Sequence, residues 1–376
     1  MAPVVAFAVT SHGFGHAART CAVIEALGAR HRGLEIEILS AVPAWFFHHS
    51  LGTSVRVHDL TVDIGLVQRD ALTIDLEASR HRLSAFWAAS SARQAQLAAR
   101  LRALEARVVV ADIAPLALFA AHRLGLPSVL VENFTWDWIY RALSVHHPLF
   151  GQLAEQVAEA VPTATVRCQA EPCCAPQAGA MAVSLVCRPA RRSREETRRA
   201  LGIPADAPAA LVTMGGIPWH PSSELSRDRA DGGHDGDAPW LVMPADCARE
   251  RRVGRTVILP HHSRFYHPDL VAAVDAVVGK LGYSTLAETA ASGRAFAYVP
   301  RPDFPESARL EAWARRRLDT VRLAAEDFVA GQWHTELTPL LARQRAASSG
   351  ARDHEPTREL ASDGAARIAD RLLDLL

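Results

Sequence analysis

The chain has 376 residues, 49% of them hydrophobic, which is too many for one core and enough for two α/β domains of ordinary size. Lys+Arg and Asp+Glu balance at 41 each, and this formal net charge of zero argues against a nucleic-acid or other polyanion binder. No apolar run approaches the ~20 residues of a bilayer span, and the opening segment Ala2–Val9 lacks a basic flank, so a cytoplasmic protein without a signal peptide is expected.

In chain order, Val4–Val9 reads as a strand breaking into a Gly/His-rich turn and then the helical pattern Ala17–Leu27, the opening of a doubly wound sheet. Ile36–Leu39 and Val55–Leu60 read as strands, and Ser79–Leu104 as one long helix rich in Ala, Arg and Leu. Val108–Ala111 is a buried strand closed by Asp112, followed by a helix Leu116–Leu124 and a strand Ser128–Val131. The second half repeats the scheme with helix Arg194–Leu201 and strands Ala209–Thr213, Trp240–Met243 and Thr256–Leu259. A helix beginning at Leu270–Ala273, strand Ala276–Val278, loop Gly279–Gly282, helix Ser284–Ala291 and strand Phe296–Val299 follow.

This alternation predicts mostly parallel sheets in two Rossmann-like units, residues 1–190 and 191–376, joined where Arg and Pro interrupt the pattern between Cys187 and Ser193. Ser222–Pro239 and Ala346–Thr357 are polar and expected to be poorly ordered. The amphipathic tail Ala365–Leu376 suits a helix returning to the junction, or equally a helix for a partner. The six cysteines contain no C-x-x-C pair and read as reduced thiols; a metal at Cys168, Cys173, Cys174 and Cys187 is the lesser alternative, given their irregular spacing.

Three features carry residues suited to chemistry. The first, Ser11-His12-Gly13-Phe14-Gly15-His16, lies between strand and helix, where open α/β sheets bind ligands. Gly13 and Gly15 let backbone approach a ligand, although G-x-G-x-x-G is not completed because Ala18 stands at the third position. His12 and His16 suit proton transfer near neutral pH; the alternative is that they satisfy buried turn groups. The second is Asp112, at a strand end, where it can orient an imidazole or cap the next helix. In the third, Gly279-Lys280-Leu281-Gly282-Tyr283-Ser284-Thr285-Leu286-Ala287-Glu288, Gly282, Ser284 and Thr285 stand where a helix N-terminus can hold a diphosphate. Lys280, the chain's sole lysine, can add a point charge there, and Glu288 can accept from ribose hydroxyls. Gly215 and Gly216 can add amides or form an ordinary turn. The aromatic run Phe134, Trp136, Trp138, Tyr140 alternates on period two, consistent with a cleft lining or with core or dimer packing.

The markers SHGFGHAAR (11–19), DIGLVQRDALTIDLEAS (63–79), NFTWDWIY (133–140) and GKLGYSTLAE (279–288) occur in an order that resembles the N-terminal, glycosyltransferase-like half of plant and bacterial L-arabinokinases, over most of residues 4–330. More distantly the chain resembles UDP-sugar enzymes of the GT-B fold, including the N-acetylglucosaminyltransferase of peptidoglycan synthesis and the UDP-sugar hydrolase of pseudaminic acid synthesis. The resemblance implies a GT-B architecture, two Rossmann-like domains facing across a cleft, with His16 as base supported by Asp112. It implies diphosphate and ribose contacts from Ser284, Thr285 and Glu288, and sugar contacts from Asp303 or Glu306. The kinase half of those relatives has no counterpart, so sugar kinase activity is not implied. The expected function is transfer from a nucleotide-sugar donor, UDP-linked, to a small-molecule or lipid-linked acceptor, without a cofactor or metal. A nucleotide-sugar hydrolase and a non-catalytic nucleotide-sugar-binding module remain alternatives.

Overall fold

In the computed structural model, residues 2–216, 238–348 and 361–376 are described; most of the two polar segments at 222–239 and 346–357 falls outside them. The first sheet contains β1 (Val4–Val9), β2 (Glu35–Ser40), β3 (Arg56–Asp59), β4 (Ala106–Asp112), β5 (Ser128–Glu132), β6 (Val166–Glu171) and β7 (Met181–Leu185). Its order is β3-β2-β1-β4-β5-β6-β7, with every neighbouring pair parallel. Both faces of β1 are buried: Val5, Phe7 and Val9 enter one core cluster, and Ala6 and Ala8 the other. That double burial is why β1 reads as an unbroken apolar run rather than an alternating one.

The second sheet contains β8 (Ala209–Thr213), β9 (Trp240–Ala245), β10 (Arg251–Val253), β11 (Thr256–Pro260), β12 (Ala276–Lys280), β13 (Ala295–Val299) and β14 (Thr320–Arg322), in the order β10-β11-β9-β8-β12-β13-β14. Only β10 runs antiparallel to its neighbour. Each sheet reverses its direction of growth once, between β1 and β4 in the first and between β8 and β12 in the second. Such switch points open a crevice beyond the strands' carboxyl ends.

Several expectations need correction. The stretch 79–104 is two helices, Leu76–Ala88 and Ser90–Ala103, broken at Ala89, which is the C-cap of the first and the N-cap of the second. The helix expected to begin near Leu270 instead ends at Ala273; it starts at His267, with Pro268 in its first turn. The aromatic run is not extended, because Trp136–Leu143 is a helix on which Trp136 and Tyr140 stack in the core, 5.5 Å between centroids. The last helix, Gly364–Leu373, lies on the first unit, burying Ile368, Ala369 and Leu372 against the cluster under helix Gly15–Arg30.

A hairpin from the first unit crosses to the second. Val67 and Asp75 pair through the backbone at 2.9 Å, and the Asp70 carboxylate accepts from the Leu72 and Thr73 amides, tightening the tip. The tip residue Ala71 is buried in the second unit's core with Met214, Phe328 and Trp333.

Gly279 pairs with Thr213 between β12 and β8, and a Cβ there would stand 2.1 Å from the Thr213 carbonyl oxygen. Gly279→Ala is therefore expected to lower stability by ~1–3 kcal/mol, read as a lower urea midpoint; an unchanged midpoint would refute this close approach.

Candidate active-site cleft

The turn after β1 and the turns after β8 and β12 face one another, and two adjoining cavities lie between them, of about 780 and 730 Å³ when the open solvent in their mouths is counted. Both are lined by Phe14, Gly15, Gly215, Gly216, Ser284 and Thr285. The units touch closely here: a Cβ on Gly216 would stand 2.5 Å from the Phe14 backbone nitrogen, so only glycine fits. Ser284 Oγ donates to the Gly15 carbonyl at 2.7 Å, and Cys174 Sγ lies 2.8 Å from the Tyr283 hydroxyl.

The smaller cavity is lined by His12, Gly13 and His16 from the first unit and by Lys280, Gly282, Arg301 and Glu306 from the second. His16 rides on the first turn of helix Gly15–Arg30, and its Nδ1 lies 2.7 Å from Asp112 Oδ1. Asp112, at the end of β4, does not cap the next helix, whose N-cap is Ala114. It also accepts from Arg19, at 2.6 and 2.8 Å. Burial alone would raise the Asp112 carboxyl, yet Arg19 and His16 hold it below its ordinary range. Burial pushes His16 below its ordinary value and Arg19 adds to this, while the hydrogen bond to Asp112 opposes it. Burial lowers His12 much further, aided by His16, Arg301 and Lys280, so His12 is a neutral ring. The Gln68 amide lies 2.9 Å from His12 Nε2, and its oxygen accepts from Arg301 at 3.3 Å.

Lys280 ends β12 rather than sitting in a loop, packs beside Gly215, and has no hydrogen-bond or ion-pair partner within contact distance among the described residues. Burial brings it down to about 7, helped by Arg301 and opposed by Glu306. Burial also raises Glu306, whose Oε2 has no partner although it is enclosed. Asp303 turns away to a separate groove with Arg69 and His146, so of the two carboxylates read as sugar contacts only Glu306 reaches this cavity.

The larger cavity is flanked by aromatic side chains of both units. Phe14 stacks on His261 at 5.4 Å, and Trp45 on His262 at 4.2 Å. Glu288 lines this cavity, but both its oxygens are engaged: Oε1 with Arg188 at 2.9 Å and Oε2 with His267 Nδ1 at 2.8 Å. Arg188 comes from the segment joining the units, donates to Ser50 Oγ, and lies over the Phe46 and Tyr266 rings. A ribose approaching Glu288 therefore meets a carboxylate already neutralised. Ser284 likewise spends its proton on Gly15, leaving Thr285, the helix amides and Lys280 as donors for an anion.

Arg19, Gln68 and Asn133 lie inside the sequence markers, but nothing local distinguishes them. Arg188, His267 and Arg301 carry no motif at all. Among the described residues, no group of three or more His, Cys, Asp or Glu is placed to hold a metal ion, the cysteine cluster included. One D-x-D triplet, Asp235-Gly236-Asp237, lies outside the described residues.

A lysine depressed in the fold destabilises it below the depressed value, and the penalty fades as pH rises toward the unfolded value near 10.5. Lys280→Met should therefore be more stable than the parent by ~3–5 kcal/mol at pH 6.5, with the gap closing by pH 10. A gap independent of pH in urea titrations would contradict the buried, depressed amine. Glu288→Ala leaves Arg188 buried without its counter-charge and is expected to cost ~3–5 kcal/mol in the same assay; a loss under 1 kcal/mol would show that Arg188 finds water instead.

No family model matches the chain. It is 30% identical over 350 residues to L-arabinokinase from Arabidopsis thaliana, a match covering 90% of this chain and 32% of that protein, so the chain spans about a third of its relative's length. Its structure superposes on the glycosyltransferase VinC in complex with dTDP, with a TM-score of 0.60 at 16% identity over 99% of both chains. It also superposes on Acinetobacter baumannii MurG, with a TM-score of 0.53 at 15% identity over 100% of both. No helix among the described residues is long and apolar enough to cross a membrane. Two parallel-rich α/β units facing across a cleft, with these structural neighbours, make the chain a protein of the GT-B fold, similar in sequence to part of L-arabinokinase.

Proposed function

We propose that the chain transfers a glycosyl group from a nucleoside-diphosphate sugar, UDP-linked, to a hydroxyl of a small or lipid-linked acceptor. The observation that carries this reading is a single cavity with His16 on one wall and the amino end of helix Tyr283–Ala291 on the other. The imidazole engages Asp112 through Nδ1, which leaves Nε2 to take a proton. A ring held in this way is a ready general base.

In this reading the acceptor oxygen loses its proton to His16 Nε2 and bonds to the anomeric carbon. The bond from that carbon to the diphosphate breaks, and its electron pair leaves on the diphosphate. The helix amides, Thr285 and Lys280 supply the charge that stabilises the leaving group, the role assigned to them instead of a metal. A dianion beside Lys280 also restores its proton, because an opposite charge favours the ammonium form. The unpartnered Glu306 Oε2 offers an acceptor to a sugar hydroxyl. The fold shared with the glycosyltransferase VinC supports glycosyl transfer in general; the donor and the base are this proposal's own.

His16→Ala is expected to reduce turnover at least ~100-fold, while calorimetry gives a UDP affinity within about twofold of the parent. Turnover within severalfold of the parent would remove His16 as the base. Release of free sugar at the same rate with and without acceptor would reassign the chain as a hydrolase, and UDP-sugar binding with neither reaction would make it a binding module.

A further inference from the structure

Asp112 holds more partners than the orientation of one imidazole requires. Besides His16, it accepts from Arg19 Nη2 on Oδ1 at 2.6 Å, from Arg19 Nε on Oδ2 at 2.8 Å, and from Thr20 on Oδ2 at 3.3 Å. Arg19 is 5% exposed, and its remaining nitrogen donates to the Asn133 side-chain oxygen. It follows His16 by one helical turn, and its Nη2 lies 3.3 Å from His16 Nδ1, so guanidinium and imidazole converge on one carboxylate. A forked guanidinium is among the strongest partners a carboxylate can have.

We propose that Arg19 is a positioning residue acting through Asp112: it locks the carboxylate against His16 Nδ1 and limits how strongly that carboxylate can stabilise a protonated ring. The proposal rests on His16 as the base. It separates two tasks that a lone aspartate would combine, orienting the ring and raising its proton affinity. A ring oriented but not over-stabilised stays neutral near neutral pH, and after turnover it returns its proton to solvent readily.

The charged groups around His16 agree with this assignment. His12 faces it from the preceding turn, Arg19 from its own helix and Asp112 from β4; Lys280, Arg301 and Glu306 line the opposite wall. Among the described residues only Asp112 touches the ring with negative charge, and Arg19 shares that charge. Burial and Arg19 both favour the neutral ring.

The test titrates His16 by NMR in the ligand-free protein and measures kcat/KM against pH, in the parent, Arg19→Met and Arg19→Lys. Removing the cation leaves Asp112 unshared, so in Arg19→Met the His16 midpoint should rise. At pH 5.5 its kcat/KM should fall about tenfold further below its own plateau than the parent's does, and at pH 8.5 it should recover to within severalfold of the parent. Arg19→Lys keeps the charge and loses the fork, so its midpoint should stay near the parent's while the plateau drops. An unmoved His16 midpoint in folded Arg19→Met overturns the proposal. A midpoint that rises without moving the acidic limb upholds the clamp and overturns His16 as the base. If Arg19→Met does not fold, Asn133→Ala loosens the other end of Arg19 and should shift the midpoint in the same direction by less; no shift there also overturns the proposal.

Discussion

At the centre of the cleft the two units meet through one short turn, and the shape of both cavities depends on that contact. Phe14 lies backbone to backbone against Gly216, while the adjacent Gly15 carbonyl accepts from Ser284 on the opposite helix. Because the turn is the direct continuation of β1, the strand's direction sets where His16 stands, and the absent side chain at Gly216 sets how near the other unit comes. The same contact divides the crevice, placing a polar cavity on the His16 side and an aromatic one on the Trp45 side.

Buried charge in this cleft follows one pattern. Asp112 is answered by Arg19, and Glu288 by Arg188, each pair almost wholly removed from water. An unmatched ion in such a place would change its protonation rather than stay charged. The pairs keep both carboxylates ionised without a ligand. Lys280 and Glu306 lack that provision, and burial moves each toward its neutral form. The cleft thus combines carboxylates of fixed charge with an amine and an acid whose charge can follow the ligand.

How much of this could be read from the residues varies with how local the cause is. The strand-turn-helix units around His16 and Gly282 were legible because an apolar β-branched run, a glycine and a helical pattern follow one another within some fifteen residues. The pairing of His16 with Asp112 was legible only through the rule that strand ends gather at a switch point. β6 and β7 escaped because Arg167, Gln169 and Glu171 interrupt the apolar pattern; Gln169 and Arg167 are instead spent on the buried Glu132. The engagement of Glu288 was hidden because its partner lies 100 positions away, in a segment whose Arg and Pro content signalled only a join. Nothing near Ala71 announces that a small apolar residue beside Asp70 belongs to the other unit's interior.

That placement of Ala71 bears on how the molecule comes apart. The chain passes from the first unit to the second near Cys187 and returns with its last helix, while the hairpin tip, earlier in the chain than either crossing, sits in the far core. Severing the peptide between the two sheets would therefore not yield two free-standing halves. One piece would lack the helix that covers Ile24 and Leu27, and the other would carry a socket emptied of Ala71. Both would expose apolar surface that the intact chain never shows to water. The two units, separate as sheets, are interlocked as a folded object.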